Sequence, residues 1–216
     1  MMLVIFDCDG VLVDTENPAN ERLAAIITAA GLPIAMPACR RRFNGLSMQA
    51  VRDRLLAEDG VDLGADFAER WQSELPAIFS RGVDAIAGIR PALDRLAASR
   101  TANCVASSGT IAKMHMTLGA AGLLHLLADR LYSSSMVERG KPHPDLFLHA
   151  AKKMGFAPED AVVVEDSVPG VVAGVAAGMR VLAYAGDPLS DRDGLAAAGG
   201  EVFLSMDRLP SLLGLE

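Results

Sequence analysis

The hydrophobic pattern begins with an unbroken apolar run, residues 2–6, which leads directly into two aspartates one residue apart, Asp7 and Asp9. A continuous apolar run of this length is typical of a strand that is buried on both faces in a parallel sheet. From about Val83 onwards, short apolar runs alternate with stretches of helical periodicity. This alternation predicts an α/β fold built on a doubly wound parallel sheet, similar to the Rossmann fold.

Residues 16–83 differ from the rest of the chain because they show helical periodicity and no strand pattern. The pattern predicts helices over residues 16–30, 37–43, 48–57 and 65–79. A block of helices within an alternating chain indicates an inserted helical domain. We therefore predict a core formed by residues 1–15 and 84–216, with a helical domain at 16–83.

In the alternating part of the chain, polar residues stand at or beyond the ends of predicted strands. The strands are predicted over residues 102–106, 131–133, 161–164 and 180–184, with the last of these as the final strand. The polar residues are Ser107, Lys141, Glu165 and Asp166. Because the carboxyl ends of parallel strands form the ligand-binding edge of an open sheet, we expect these side chains to lie near Asp7 and Asp9.

Two like charges as close as those of Asp7 and Asp9 cost free energy unless a positive charge lies beside them. A divalent cation with oxygen ligands would supply that charge. The Asp-x-Asp-Gly pattern is also common in surface turns, so the pair alone leaves that alternative open. Together with a hydroxyl and a lysine, the carboxylates suit phosphoryl transfer, which depends mainly on positioning and charge neutralisation.

Four segments resemble, in order, the four motifs of the haloacid dehalogenase superfamily. The resemblance is to the helical-cap branch, which contains β-phosphoglucomutase and many sugar-phosphate phosphatases. The segments are Asp7-Cys8-Asp9-Gly10-Val11, Val105-Ala106-Ser107-Ser108-Gly109, Gly140-Lys141-Pro142-His143-Pro144-Asp145 and Glu165-Asp166-Ser167. They span nearly the whole chain, and an ordered set of this kind is far more specific than any one motif.

The resemblance implies catalytic roles for four residues. Asp7 is expected to attack phosphorus and form a phosphoaspartate, which divides one displacement into two. Asp9 is expected to protonate the leaving alkoxide and then to take a proton from the hydrolytic water. Ser107 is expected to donate to a phosphoryl oxygen, and Lys141 to neutralise both the phosphate and Asp7.

The resemblance also implies Mg²⁺ as the cofactor. Its expected ligands are Asp7, the backbone carbonyl of Asp9, and Asp166, with Glu165 nearby or acting through water. The cation would offset the repulsion between the attacking carboxylate and a phosphate dianion.

In the family, a helical insertion of this kind is a cap that closes over the site and selects the substrate, which is the role implied for residues 16–83. The candidates for substrate contacts are Ser108, Gly109, Asn44, Gly45 and Ser47. Ser47 also suits the N-cap of the following helix, and a simple capping loop is the alternative interpretation of this stretch.

Three other functions are alternatives to a phosphatase. Mutases of this branch carry a cationic residue after the cap-loop Gly-x-Ser stretch and a histidine early in the first cap helix, where this chain has Met48 and Ala19. Dehalogenases lack the second aspartate of the first motif, which is Asp9 here. A non-catalytic binding module on the same fold stays open, because fold alone does not decide function.

The substrate is expected to be a small phosphorylated metabolite. The net charge of −7 disfavours broad binding to nucleic acid, although a local cationic site can still bind a small anion. Lys113-Met114-His115 and residues 71–80 are similar to family members that dephosphorylate 6-phosphogluconate. The sequence thus predicts a Mg²⁺-dependent phosphatase of sugar or sugar-acid phosphates, with a phosphosugar mutase as the alternative.

The cysteines and the first residues of the chain bear on the cellular location of the protein. The three cysteines form no Cys-x-x-Cys pair or disulfide framework, which favours a reducing environment. No basic region precedes the first apolar run, and Asp7 interrupts it, so neither a signal peptide nor a membrane span is expected. We expect a cytoplasmic protein and, without a heptad repeat, a monomer.

Overall fold

The structure, a computed structural model, describes residues 2–43 and 46–215 of the chain. Its contacts divide the chain into two compact units. Met1–Asp14 and Asp84–Glu216 form the first, which we call the sheet unit, and Thr15–Val83 form the second, which we call the helical unit.

The sheet unit is built on six parallel strands, and the predicted α/β fold with a doubly wound parallel sheet is confirmed. The strands of this unit are β1 (Leu3–Phe6), β2 (Val13–Asp14), β3 (Asp84–Ala85), β4 (Ala102–Ser107), β5 (Leu131–Ser133), β6 (Ala161–Glu165), β7 (Arg180–Tyr184) and β8 (Glu201–Phe203). The large sheet has the order β5-β4-β1-β6-β7-β8, while β2 and β3 pair in an antiparallel ribbon.

Strand β1 lies at the centre of the sheet because its four residues are apolar and can be buried on both faces. Leu3 pairs in register with Ala102 on one side and with Ala161 on the other. The strand order reverses between β1 and β6, since the chain places β4 and β5 on one side of β1 and β6, β7 and β8 on the other. Ligands of open α/β sheets bind at such a switch point, beyond the carboxyl ends of the strands.

In its described residues the helical unit contains four helices, each with buried apolar residues. They are α1 (Glu16–Ala29), α2 (Met36–Phe43), α3 (Met48–Asp59) and α4 (Phe67–Phe79). Helix α1 contacts α2 and α4, and α3 contacts α4. Leu23, Val51 and Trp71 are among the buried side chains that fill this unit.

The helices of the sheet unit are α5 (Ile89–Ala98), α6 (Ile111–Ala120), α7 (Leu124–Leu127), α8 (Asp145–Met154), α9 (Val168–Ala176), α10 (Arg192–Ala197) and α11 (Leu209–Leu212). Helix α9 lies close to the sheet because Gly174 has no side chain: a Cβ there would be 2.6 Å from Cγ2 of Val181. None of the helices within residues 2–43 and 46–215 has the length and apolar content needed to cross a membrane.

The prediction that residues 180–184 form the final strand is wrong, because β8 follows and pairs with β7 from Leu182 and Glu201 onwards. Strand β8 has three residues, and Glu201 and Val202 are exposed at the sheet edge. A strand this short gives only a weak sequence pattern: β5, of the same length, was predicted, whereas β8 was not. The two-residue strands β2 and β3 and the four-residue helix α7 escaped prediction for the same reason.

Candidate active site

The centre of the candidate site is Lys141, in the segment between β5 and α8. Its Nζ donates to Oδ1 of Asp7 at 2.5 Å, to Oε1 of Glu165 at 2.7 Å and to the carbonyl oxygen of Ala106 at 3.0 Å. The ammonium also lies 4.8 Å from the ring centroid of Phe147. Because an ammonium has three hydrogens, these three hydrogen bonds use all of its donors. The acceptors lie at the ends of β1, β4 and β6, so Lys141 joins these three strand ends.

This cluster is almost completely removed from water. The side chain of Lys141 is 5% exposed, that of Asp7 11% and that of Glu165 1%. Burial alone would lower the pKa of Lys141, but the attraction of the two carboxylates overrides it and leaves that pKa above its ordinary value. Burial raises the pKa of Asp7 to about 7, opposed by Lys141 and reinforced by Glu165. One buried cation therefore faces more than one buried anion.

Glu165 is held in place by the start of α9. Its Oε2 accepts hydrogen bonds from the backbone N–H of Asp166 and of Ser167, both at 2.8 Å, and from the Ser167 hydroxyl at 2.9 Å. Gly170 makes room for the carboxylate, since a Cβ there would lie 1.8 Å from Oε1. The two oxygens thus contact Lys141 and the Asp166–Ser167 turn that precedes α9, an arrangement that suits orienting the lysine.

Asp166 lies beside the first motif. Burial, followed by repulsion from Glu165 and Asp7, raises its pKa well above the ordinary range of an aspartate. Its Oδ2 would be 2.0 Å from a Cβ on Gly10, so the carboxylate packs against the backbone that follows Asp9. Gly10 has φ = 79°, a conformation that favours glycine in any case.

This donor set fits Mg²⁺. The carboxylates of Asp7 and Asp166 and the carbonyl of Asp9 are hard oxygen donors. Burial, and after it repulsion from Glu165, raises the pKa of both aspartates, and a bound cation would offset both effects. Within residues 2–43 and 46–215 no group of three or more His, Cys, Asp or Glu side chains is arranged to hold a metal ion. Magnesium commonly binds through one or two carboxylates and keeps several waters, which agrees with that finding.

Ser107 ends β4 and is buried at the same edge of the sheet. Its hydroxyl oxygen accepts the N–H of Gly109 at 3.0 Å, which leaves the hydroxyl hydrogen available to donate. The loop that follows is fixed from β5: Ser134 donates to the carbonyl of Ser108 at 2.9 Å and Ser133 to that of Gly109 at 2.8 Å. Both predicted substrate-contact residues of the sheet unit therefore lie in an ordered loop beside Ser107.

Asp9 makes a contact that the sequence did not indicate. Its Oδ2 accepts from Nζ of Lys113 at 2.7 Å, across a separation of 104 residues. Lys113 lies in the first turn of α6, where a lysine is ordinarily solvent-exposed, so periodicity gave no reason to select it. The sequence feature that could have identified Lys113 is its position six residues after Ser107, in the segment Lys113-Met114-His115 that resembles the family.

Cys8 lies between the two aspartates and is not a nucleophile. It is 1% exposed, and burial together with Asp9 and Asp7 raises the pKa of its thiol far above the ordinary value. A thiol that stays protonated is a poor nucleophile. Cys8 is therefore a buried structural residue.

Comparison with known proteins identifies the family of this chain. Residues 4–184 match the haloacid dehalogenase-like hydrolases. The chain belongs to this family. The match covers all four motif segments, so the resemblance seen in the sequence is confirmed, as is the enzyme class, a phosphatase of the superfamily.

Among its relatives, this haloacid dehalogenase-like hydrolase is 34% identical to the 6-phosphogluconate phosphatase of Escherichia coli (strain K12) over 186 residues, which cover 86% of this chain and 83% of that protein. It is 31% identical to hexitol phosphatase A of the same organism over 180 residues, covering 83% and 81% of the two chains. A solved HAD family hydrolase from Deinococcus radiodurans R1, with bound phosphate and sodium, superimposes with a TM-score of 0.87 at 31% identity, covering 98% of this chain and 94% of that one.

The remaining predicted contacts of this hydrolase lie in the helical unit. Asn44 and Gly45 fall outside the described residues. Ser47 caps α3, because its Oγ accepts the N–H of Ala50 at 3.2 Å. The capping interpretation of Ser47 is therefore confirmed, while a contact between Ser47 and substrate stays a prediction.

Proposed function

We propose that this protein is a Mg²⁺-dependent phosphatase of small phosphorylated sugars or sugar acids, with 6-phosphogluconate as the first candidate substrate. The observation that carries the proposal is the buried contact between Lys141 and both Asp7 and Glu165 at the switch point of the sheet. It presents one carboxylate, already paired with a cation, at the position where open α/β sheets bind ligands.

In the first step, an Oδ of Asp7 forms a bond to phosphorus while the bond from phosphorus to the sugar oxygen breaks. The product is a phosphoaspartate, and the leaving oxygen takes a proton from Asp9. Lys141 lowers the repulsion between Asp7 and the phosphate, since its ammonium is 2.5 Å from Oδ1. Ser107 orients the phosphate by donating its free hydroxyl hydrogen to a phosphoryl oxygen.

In the second step, water attacks the phosphorus of the phosphoaspartate. Asp9, now ionised, accepts a proton from this water, and the bond between phosphorus and the Asp7 oxygen breaks. Inorganic phosphate leaves and Asp7 is regenerated. The carboxyl group of Asp9 thus returns to its starting protonation state after each turnover.

Mg²⁺ would be held by Asp7, Asp166 and the backbone carbonyl of Asp9. When bound, it supplies positive charge that stabilises the phosphoryl oxygens in the transition state. We assign Glu165 to orienting Lys141, because its Oε2 accepts three hydrogen bonds from the Asp166–Ser167 turn and its Oε1 contacts the lysine.

The substrate class is supported by the relatives named phosphatases of 6-phosphogluconate and of hexitols, at 34% and 31% identity. A bound phosphate in the Deinococcus radiodurans structure supports phosphate binding on this fold. We propose that the helical unit acts as the cap that selects the sugar, with Asn44, Gly45 and Ser47 as its candidate contacts. A cytoplasmic location and a monomeric state stay predictions.

The test is phosphate release from a panel of sugar and sugar-acid phosphates, measured with Mg²⁺ and with chelator, for the wild type and Asp7→Asn. We expect metal-dependent release that Asp7→Asn abolishes, because an amide cannot act as the nucleophile. Isomerisation of a hexose phosphate without release would instead identify a mutase. If a folded, Mg²⁺-loaded protein catalyses neither reaction, that result would favour a binding module.

A further inference from the structure

Lys113 connects Asp9, the acid–base residue of the proposed mechanism, to the loop that follows Ser107. Its Nζ is 2.7 Å from Oδ2 of Asp9, and its side-chain stem lies beside Gly109, two residues after Ser107. A Cβ on Gly109 would lie 3.3 Å from Cδ of Lys113 and 3.4 Å from Oγ of Ser107. Gly109 therefore leaves the space in which the lysine stem and the serine hydroxyl both fit.

The base of the lysine is fixed by the start of α6. Thr110 caps the helix, and its hydroxyl accepts the N–H of Lys113 at 3.1 Å. One turn later the Thr117 hydroxyl donates to the carbonyl of Lys113, also at 3.1 Å. These contacts place Lys113 on an element whose first turn is anchored at both ends.

Asp9 lacks the burial that holds Asp7 in place. Its side chain is 30% exposed, and that of Lys113 is 34% exposed. An ion pair of this exposure contributes little to stability, because water screens it and two side chains lose rotamer freedom. Its consequence for catalysis is different, since a general acid must be held within hydrogen-bond reach of the leaving oxygen.

We propose that Lys113 is a positioning residue for Asp9: by holding Oδ2, it directs Oδ1 to the oxygen that leaves phosphorus. This inference rests on the proposed function. In the first step the phosphorus–oxygen bond to the sugar breaks, and the proton moves from Oδ1 of Asp9 to that oxygen. Lys113 exchanges no proton and forms no bond to phosphorus.

Positioning of a general acid has a specific kinetic signature. A sugar alkoxide is a poor leaving group and needs the proton, whereas 4-nitrophenolate leaves readily without it. Loss of Lys113 should therefore impair the transfer of phosphate from sugar phosphates to Asp7 much more than the transfer from 4-nitrophenyl phosphate. The ratio kcat/KM reports this first transfer, because it covers the steps up to the release of the alcohol.

The experiment compares the wild type with Lys113→Met, Lys113→Arg and the control Lys152→Met. Lys152 is exposed on α8, so the control removes the same charge from the surface. The substrates are 6-phosphogluconate, sorbitol 6-phosphate and 4-nitrophenyl phosphate, all with Mg²⁺. For Lys113→Met we expect kcat/KM to fall about 10- to 100-fold for both sugar phosphates and less than about threefold for 4-nitrophenyl phosphate. Lys113→Arg should recover part of the loss, and Lys152→Met should match the wild type.

Three outcomes would overturn the proposal. An equal loss for all three substrates would show that Lys113 acts on the phosphoryl group itself. A loss confined to 6-phosphogluconate would show that it binds the substrate carboxylate, which sorbitol 6-phosphate lacks. No loss for any substrate would show that the ion pair is only a surface contact. If the wild type releases phosphate from none of them, the proposed phosphatase function fails, and the proposal for Lys113 falls with it.

Discussion

One ion pair from each unit of the molecule shows how much the surroundings of an ion pair matter. In the sheet unit, Lys141 and its two carboxylates are buried and every N–H of the ammonium has an acceptor. In the helical unit, Arg22 pairs with Glu74 at 2.7 Å between α1 and α4, with 41% and 33% of the two side chains exposed. A broken buried pair leaves an uncompensated charge away from water, whereas water replaces the partner of an exposed one.

The difference in burial distinguishes charged groups with a functional role from ion pairs that only support packing. A buried cluster that contains more carboxylate than cation costs free energy to maintain and is therefore a functional-site candidate. The helical unit instead has an apolar interior, and its exposed ion pairs contribute little to stability. Substitutions in the two units should differ in how much they change the free energy of unfolding. They should also differ in whether they change activity.

The largest effect is expected for Lys141→Met, which leaves Asp7 and Glu165 buried without their cation. We expect no measurable phosphate release and a loss of about 3–5 kcal/mol in the free energy of unfolding. Urea denaturation and the phosphate-release assay measure the two effects. A stable, active Lys141→Met protein would contradict the assignment of the buried cluster.

The next largest effect is expected for Gly170→Ala. The added Cβ would meet Oε1 of Glu165 at 1.8 Å, so the carboxylate must move and release Lys141. We expect a loss of about 1–3 kcal/mol in stability from this overpacking, together with a fall in kcat. The matched control is Gly119→Ala in α6, where a Cβ would have its nearest neighbour at 3.9 Å. That change should be neutral or stabilising by about 0.5–1 kcal/mol, since alanine favours helices.

A smaller effect is expected in the helical unit for Ser47→Ala, which removes the acceptor for the N–H of Ala50. The loss of an N-cap should cost about 1 kcal/mol of stability. Ser47→Asp restores a capping oxygen and should recover that stability. If Ser47→Asp is stable but turns over sugar phosphates poorly, Ser47 contacts the substrate as well as the helix.

The smallest effect is expected for Glu74→Gln, which weakens the exposed pair with Arg22. The hydrogen bond from Arg22 lowers the pKa of Glu74, so the contribution of the pair is present near neutral pH and is lost as the pH falls through that lowered pKa. We expect a change of less than about 1 kcal/mol at neutral pH, no difference in strong acid and unchanged phosphate release. A loss comparable to that of Lys141→Met would remove the distinction between the two units.

The sequence by itself determined the α/β class, the helical block and the position of each motif. Apolar runs such as residues 2–6 are local signals that predict strands. Because parallel strands bring their carboxyl ends to one edge of the sheet, Asp7, Ser107 and Asp166 could be placed together from the sequence alone. Short elements give only a weak signal, so β8 was missed although β5, which is equally short, was predicted.

Only the tertiary structure decided which contacts each of the grouped residues makes, and therefore which role each can have. Glu165 and Asp166 are neighbours in sequence, yet one is held by Lys141 and the start of α9 while the other lies against Gly10. The contact between Lys113 and Asp9 joins residues 104 positions apart and depends on where α6 packs. Hydrogen bonds and burial act over a few ångströms in space, so the environment of a charged side chain is set by the packing of distant segments.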